Sequence, residues 1–149
     1  MYHTILAPLD GSKHAEAILP HVQNLAQCYR AKVIFLQVVE PSPLIFEPNA
    51  VYPLFDQEEL ERRTKEAETY LSARQGEFRE KGIDTRTYVV HGPIVAEIID
   101  AAEREGADLI AMASHGRTGL AQVFYGSVAA GVLHRVDRPL LLVRSSSDE

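Results

Sequence analysis

The stretch SHGRTGLAQVFYGS, Ser114 to Ser127, is the part of this chain whose residue types best suit binding chemistry. Gly116 and Gly119 let a backbone turn tightly and come close to a ligand. Gly126-Ser127 then supplies amides and a hydroxyl where a helix is expected to begin. Amides at a helix N-terminus, together with its dipole, favour an anion, above all a phosphate. Arg117 adds a charged partner. The same glycines also serve as ordinary turn and cap residues, so the pattern alone leaves both readings open. Asp10 is the second candidate, placed just after an apolar run. A carboxylate there can accept hydrogen bonds from ribose hydroxyls, or it can shape a turn ahead of the first helix. Ser114 and His115 are adjacent on an expected loop, a poor geometry for a nucleophile and its base, so we read them as structural or phosphate-facing.

Several other chemistries are excluded by spacing. No GxGxxG follows the first apolar run and no GxxxxGK[ST] occurs anywhere, which argues against a dinucleotide fold and a P-loop ATPase. The G-x-S-x-G elbow of many hydrolases is also missing. The six histidines show no zinc-ligand spacing. No carboxylate is placed by sequence to act as a base on a γ-phosphate, so rapid ATP hydrolysis has no visible machinery.

These candidates need a scaffold, and the apolar pattern supplies one. Tyr2 to Ala7 is a β-prone run closed by Pro8 and a turn signal at Asp10-Gly11-Ser12. Ser12 is the expected N-cap of a helix whose apolar face is Ala15, Ile18, Leu19, Val22, Leu25 and Ala26. Pro20 falls inside that pattern, so the helix is either kinked or regular only from about Pro20 onward. Cys28, near its end, is read as a half-buried packing residue. Lys32 to Val39 is almost continuously apolar, as a strand covered on both faces would be. Glu40 to Asp56 holds four of the eight prolines and is long for a connection, which fits a lid, a binding segment or a wandering crossover.

Gln57 to Lys81 reads as a helix with a narrow stripe of Leu60, Ala67, Leu71 and Phe78 and a solvated charged face. Gly82 ends it, and Ile83 to Val90 reads as a strand. Gly92-Pro93 opens a helix burying Ile94, Val95, Ile98, Ile99 and Ala102. Ala107 to Ala113 is a buried strand, Ser127 to Val136 a helix, Leu140 to Arg144 the last strand, and Ser145 to Glu149 a polar tail. Strand–helix alternation of this kind makes a parallel sheet with helices on both faces. We expect one α/β domain over residues 1–149, a doubly wound, Rossmann-like sheet in the order 3-2-1-4-5. Ligands bind such sheets at the carboxyl ends of the strands, where the chain order reverses. That brings the loops after the first and fourth strands face to face.

Composition agrees with that scaffold. The chain has 149 residues, 46% hydrophobic and 24% charged, with a formal net charge of −6. An acidic chain is a poor partner for nucleic acid or an anionic membrane. No apolar run approaches a membrane span, the N-terminus lacks signal-peptide architecture, and Cys28 is the only cysteine, so we expect a cytoplasmic protein without disulfides.

From YHTILAPLDGS to RPLLLV the chain resembles the universal stress protein family. The sharpest point of likeness is a nucleotide motif: Gly, two residues, Gly, nine residues, then Gly-Ser or Gly-Thr. Here it reads Ala113-Ser114-His115-Gly116, nine residues from Arg117 to Tyr125, then Gly126-Ser127. Resemblance to the ATP-binding branch implies that Asp10 binds ribose with Pro8 beside it, and that Val38 and Met112 line an adenine pocket. It implies that Gly116, Gly126, Ser127 and Val128 hold phosphates, accompanied by Mg2+. Ala113 departs from the motif's first glycine. A Cβ there disfavours positive φ and takes space near the phosphates, which would favour AMP, ADP or weakly held ATP. The function implied is a regulatory stress-response module that binds an adenine nucleotide and hydrolyses it little or not at all. The alternatives are a slow ATPase or phosphotransferase at the same pocket, and a dimeric interaction module that binds no nucleotide. Leu140 to Val143, an apolar run expected at a sheet edge, is read as the pairing strand of a homodimer.

Overall fold

Thr4–Pro8, strand β1, lies in the middle of a five-stranded parallel sheet in the computed structural model, which describes residues 1–41, 57–114 and 126–145. A turn of 3-10 helix, Ala15–Ile18, leads into α1, Leu19–Tyr29, and then β2, Lys32–Val39. Helix α2, Gln57–Glu80, precedes β3, Thr85–His91, and α3, Ile94–Arg104. Strand β4, Leu109–Ala113, helix α4, Ser127–Arg135, and β5, Leu140–Val143, complete the chain. The sheet order is β3-β2-β1-β4-β5, as the alternation implied. Most of the Pro-rich segment (42–56), the loop 115–125 and the tail 146–149 lie outside the described residues.

The nearly continuous apolar strands reflect burial on both faces. Alternate residues Ile5, Ala7, Val33, Phe35, Leu109 and Ala111 face one core with Ile18, Val22, Leu71 and Phe78. Leu6, Ile34, Leu36, Ile110 and Met112 face the other with Ile98, Ala102, Ala129 and Val132. The register sets Ala7 beside Phe35 and Ile5 beside Leu109, fixing which strand ends meet at the carboxyl edge. Phe35 and Phe78 pack edge to face at 4.9 Å, pinning α2 to the sheet.

Local chemistry refines several expectations. Pro20 does not kink a long helix: α1 starts at Leu19, and the proline sits in the first turn, where its missing N–H has no helical acceptor to lose. Ser12 Oγ accepts from the Ala15 amide at 3.1 Å and so caps the 3-10 turn, while α1 begins without a side-chain cap. Pro8 is the last residue of β1 and does not merely follow it. Cys28 is exposed, not half-buried. It lies two residues beyond the buried Ala26, roughly 200° round the helix, on the outer face. Leu60 is half-buried, whereas Ala67, Leu71 and Phe78 are fully in the core. Gly82, at φ +79°, does end α2. Among the described residues no helix is long and apolar enough to cross a membrane.

Candidate functional site

From β1 the chain builds outward to β2 and β3 on one side, then crosses to β4 and β5 on the other. The reversal falls between β1 and β4, the place where doubly wound sheets leave a crevice. A cavity of about 610 Å³ opens there, lined from the ends of β1, β2 and β4, from α2 and α3, and from the start of α4.

Its floor is set by local hydrogen bonding after β1. Asp10 Oδ1 accepts from the Ser12 amide at 2.9 Å and the Ser12 hydroxyl at 2.6 Å, an Asx-type turn that holds the carboxylate at the cavity edge. At the far side Gly126 caps α4 and its amide donates to the Ser114 carbonyl. The amides of the first turn of α4, from Ser127 onward, have no acceptor one turn earlier in the helix, so they carry the partial positive charge of the helix end. Gly126, Ser127, Val128 and Ala129 all line the cavity. Between these polar ends, Val38, Met112, Ile94 and Ile98 provide an apolar wall.

Of the residues singled out from sequence, Pro8, Asp10, Val38, Met112, Gly126, Ser127 and Val128 therefore meet around one cavity. Gly116 and Arg117 lie outside the described residues. Ala113 is buried at 7% exposure and does not line the cavity. The expected conflict between its Cβ and a positive φ does not arise. Ala113 is the last residue of β4, paired with Val143, and Arg30 is the only non-glycine with positive φ among the described residues.

Helix α2 contributes a wall that the sequence concealed. Arg63, Glu66, Ala67 and Tyr70, spaced three and four apart, line the cavity, although the charged face of this helix was expected to meet only solvent. Arg63 Nη1 donates to the Glu40 carbonyl at 2.8 Å, tying α2 to the end of β2. The Tyr70 hydroxyl donates to the Glu16 carboxylate, which also takes Arg74 at 3.2 Å, and the Arg74 guanidinium lies 5.2 Å over the Tyr70 ring. Burial, and then the hydrogen bond to Glu16 and its charge, hold the Tyr70 hydroxyl well above its ordinary ionisation range. It remains a donor. Gln37 and Ser114 are also among the lining residues, and Gln37 Oε1 and Ser114 Oγ are buried without a hydrogen-bond partner. Among the described residues no cluster of three His, Cys, Asp or Glu could hold a metal.

Fold and cavity together define a doubly wound α/β protein with a small-ligand crevice at its switch point. The model of the universal stress protein family (Usp) matches residues 1–144. The chain belongs to that family. Universal stress protein MJ0577 of Methanocaldococcus jannaschii is 32% identical over 155 residues, covering 97% of this chain and 96% of that protein. The solved structure of MJ0577 superposes with a TM-score of 0.82 at 30% identity over 99% of each chain. Universal stress protein UspA from Lactobacillus plantarum gives the same TM-score at 25% identity, covering 96% of this chain and 98% of that one. A universal stress protein solved in complex with cAMP, 23% identical with a TM-score of 0.64 over 97% and 98% of the chains, shares the fold.

Proposed function

We propose that the cavity binds an adenine nucleotide, ATP or its products ADP and AMP, and that the protein is a cytoplasmic regulatory module with little or no hydrolysis. The observation that carries this reading is that Asp10 and the N-terminus of α4 line one cavity together with apolar residues. A volume of about 610 Å³ is in the range of small-ligand sites, roughly 300–1,000 Å³. In this reading Asp10 accepts the ribose hydroxyls, and Val38 and Met112 flank the base. Gly126, Ser127 and Val128 take phosphate through backbone amides, with Gly116 and Arg117 assisting. Magnesium comes in with the triphosphate. The second reading, a slow ATPase or phosphotransferase, is separated by measuring phosphate release with and without Mg2+.

We also propose a homodimer through β5. All four of its residues are half-buried, it is the edge beside β4, and its outer backbone groups call for a partner strand.

Calorimetric titration tests the nucleotide reading. ATP should bind in the micromolar range, and Asp10→Ala should weaken it by about 1–3 kcal/mol if a charged hydrogen bond is lost. No measurable heat or displacement with ATP, ADP and AMP would sink the reading.

A further inference from the structure

Pro20 explains why the chain enters α1 through a 3-10 turn. An α-helix running on from His14 would need an amide at position 20 to reach the Glu16 carbonyl, but proline has no N–H and its ring crowds that oxygen. The Leu19 amide takes the Glu16 carbonyl instead. The rest of the turn is held by long bonds of mixed pattern, Glu16 N–H to the Ser12 carbonyl and Ala17 N–H to the His14 carbonyl, both at 3.3 Å. Bonds of that length are weak, and short 3-10 segments often mark hinges. Both ends of this turn are fastened to features already described. Asp10 Oδ1, at the cavity, accepts from the Ser12 amide and hydroxyl, and Ser12 in turn accepts the Ala15 amide at its Oγ and the Glu16 amide at its carbonyl. On the other side His14 Nδ1 shares a hydrogen bond with Ser145 Oγ at 2.9 Å, and Ser145, just past the end of β5, is 8% exposed. Leu141 and Val143 of β5 pack against the core cluster that holds Ala15 and Ile18, so the turn lies against the strand as well.

We propose that this turn couples the cavity to the β5 edge: a nucleotide on Asp10 and a second copy of the chain on β5 hold the turn in the same arrangement, so each tightens the other. This rests on both readings above, the nucleotide and the dimer. A ligand hydrogen-bonded to Asp10 fixes the carboxylate that carries Ser12 and, through it, the start of the turn. Pairing along β5 fixes the strand end that carries Ser145 and, through it, His14. Whichever event comes first removes freedom from the turn, and the second then has less ordering to supply. The Glu16 side chain, held from α2 by Tyr70 and Arg74, keeps the middle of the turn in place, which leaves its two ends as the parts that respond.

Coupling of this kind is reciprocal, so it can be read from nucleotide affinity alone. The test titrates ATP with Mg2+ into the wild-type dimer, into Leu142→Lys, into Ser145→Ala and into the double variant. Leu142→Lys should weaken ATP about fivefold in the wild-type background and less than about twofold where Ser145 is already alanine, because the link is then cut. His14→Asn, whose side-chain amide reaches the position of Nδ1, should keep the fivefold effect of Leu142→Lys, and His14→Ala should lose it; this pair separates the hydrogen bond from packing and replaces Ser145→Ala should that variant not fold. Should Leu142→Lys not fold, the dimer dissociation constant of the wild type with and without ATP gives the same factor. Equal ATP affinities in the wild type and in Leu142→Lys overturn the proposal while leaving the site and the dimer standing. So does a fivefold loss that persists in Ser145→Ala, which would put the transmission through Met112, the β4 neighbour of Leu142. A wild type that binds no ATP overturns the nucleotide reading, and one that stays monomeric overturns the dimer reading; either result takes the proposal with it, and each shows in its own measurement.

Discussion

Replacing Gly131 with alanine sets two effects of known size against each other. Gly131 lies within α4, and a Cβ built there falls 2.7 Å from Val95 Cγ2 and 3.3 Å from Val95 Cγ1 on α3. Alanine in place of glycine inside a helix is worth about 1 kcal/mol in α4 itself. Against this, ordinary contact begins near 3.4 Å, so the helices must part by roughly 0.7 Å, the difference between 3.4 and 2.7 Å. Val95 cannot turn aside, because a β-branched side chain in a helix has essentially one rotamer. Overpacking of this kind costs about 1–3 kcal/mol, so with the helix gain of about 1 kcal/mol set against it the net loss should be about 0–2 kcal/mol. For a chain of this length that lowers the thermal midpoint by up to about 8 °C. Differential scanning calorimetry of Gly131→Ala, Val95→Ala and the double variant closes a mutant cycle. The coupling should be favourable by about 1–3 kcal/mol, since the double variant relieves the contact. A Gly131→Ala protein about 1 kcal/mol more stable than the wild type would refute the reasoning, because it would show the helix preference acting unopposed.

Three further outcomes follow from the same geometry. Ala113→Gly should leave affinity for ATP and adenosine unchanged and lower stability by about 0.5–1 kcal/mol, because the residue is extended β4 backbone away from the cavity; selective tightening of ATP would contradict this. The Tyr70 hydroxyl stays protonated when folded above the value of 10.0 at which an unfolded tyrosine ionises, so its contribution to stability is whole below pH 10 and is lost as pH rises beyond it. Tyr70→Phe should flatten that alkaline loss in urea midpoints, and an unchanged slope would count against the Glu16 environment as its cause. Light scattering should give about twice the 16.6 kDa chain mass, moving toward one chain in Leu142→Lys with the circular dichroism preserved; a wild-type monomer at tens of micromolar would end the β5 proposal.

The strands were legible because apolar runs buried on two faces are the strongest signal a parallel sheet leaves. That is why Lys32 to Val39 matched β2 residue for residue. The turn residues were legible in kind but not in use: Ser12 caps a 3-10 turn, and Pro20 falls in the first turn of α1. The end of β4 was legible at Ala113, where the structure has it, while its start was read two residues early. A backbone conflict was expected at Ala113 because the resemblance puts a glycine there, and the extended pairing with Val143 removes it. The wall formed by α2 was hidden by a degeneracy of pattern. Arg63, Glu66 and Tyr70 line the cavity, and polar residues that line a cavity look the same in sequence as those that face water. The recurrence of these residues three and four apart with the buried Ala67 was the signal available.

One feature of the sheet bears on how the molecule comes apart. Strand β1 matches β2 over five residue pairs, Thr4 to Pro8, but matches β4 over only two, Ile5 with Leu109 and Leu6 with Ile110. The sheet is thus two leaves, β3-β2-β1 and β4-β5, joined by a short backbone seam and by the side chains of α3 and the 3-10 turn that lie across it. Local opening favours the places with fewest shared hydrogen bonds. The crevice straddles this seam, with Asp10 on one leaf and α4 belonging to the other. A ligand bound as proposed, at Asp10 and at the start of α4, would span the seam and hold the two leaves together, so its binding should slow hydrogen exchange along β1 and β4.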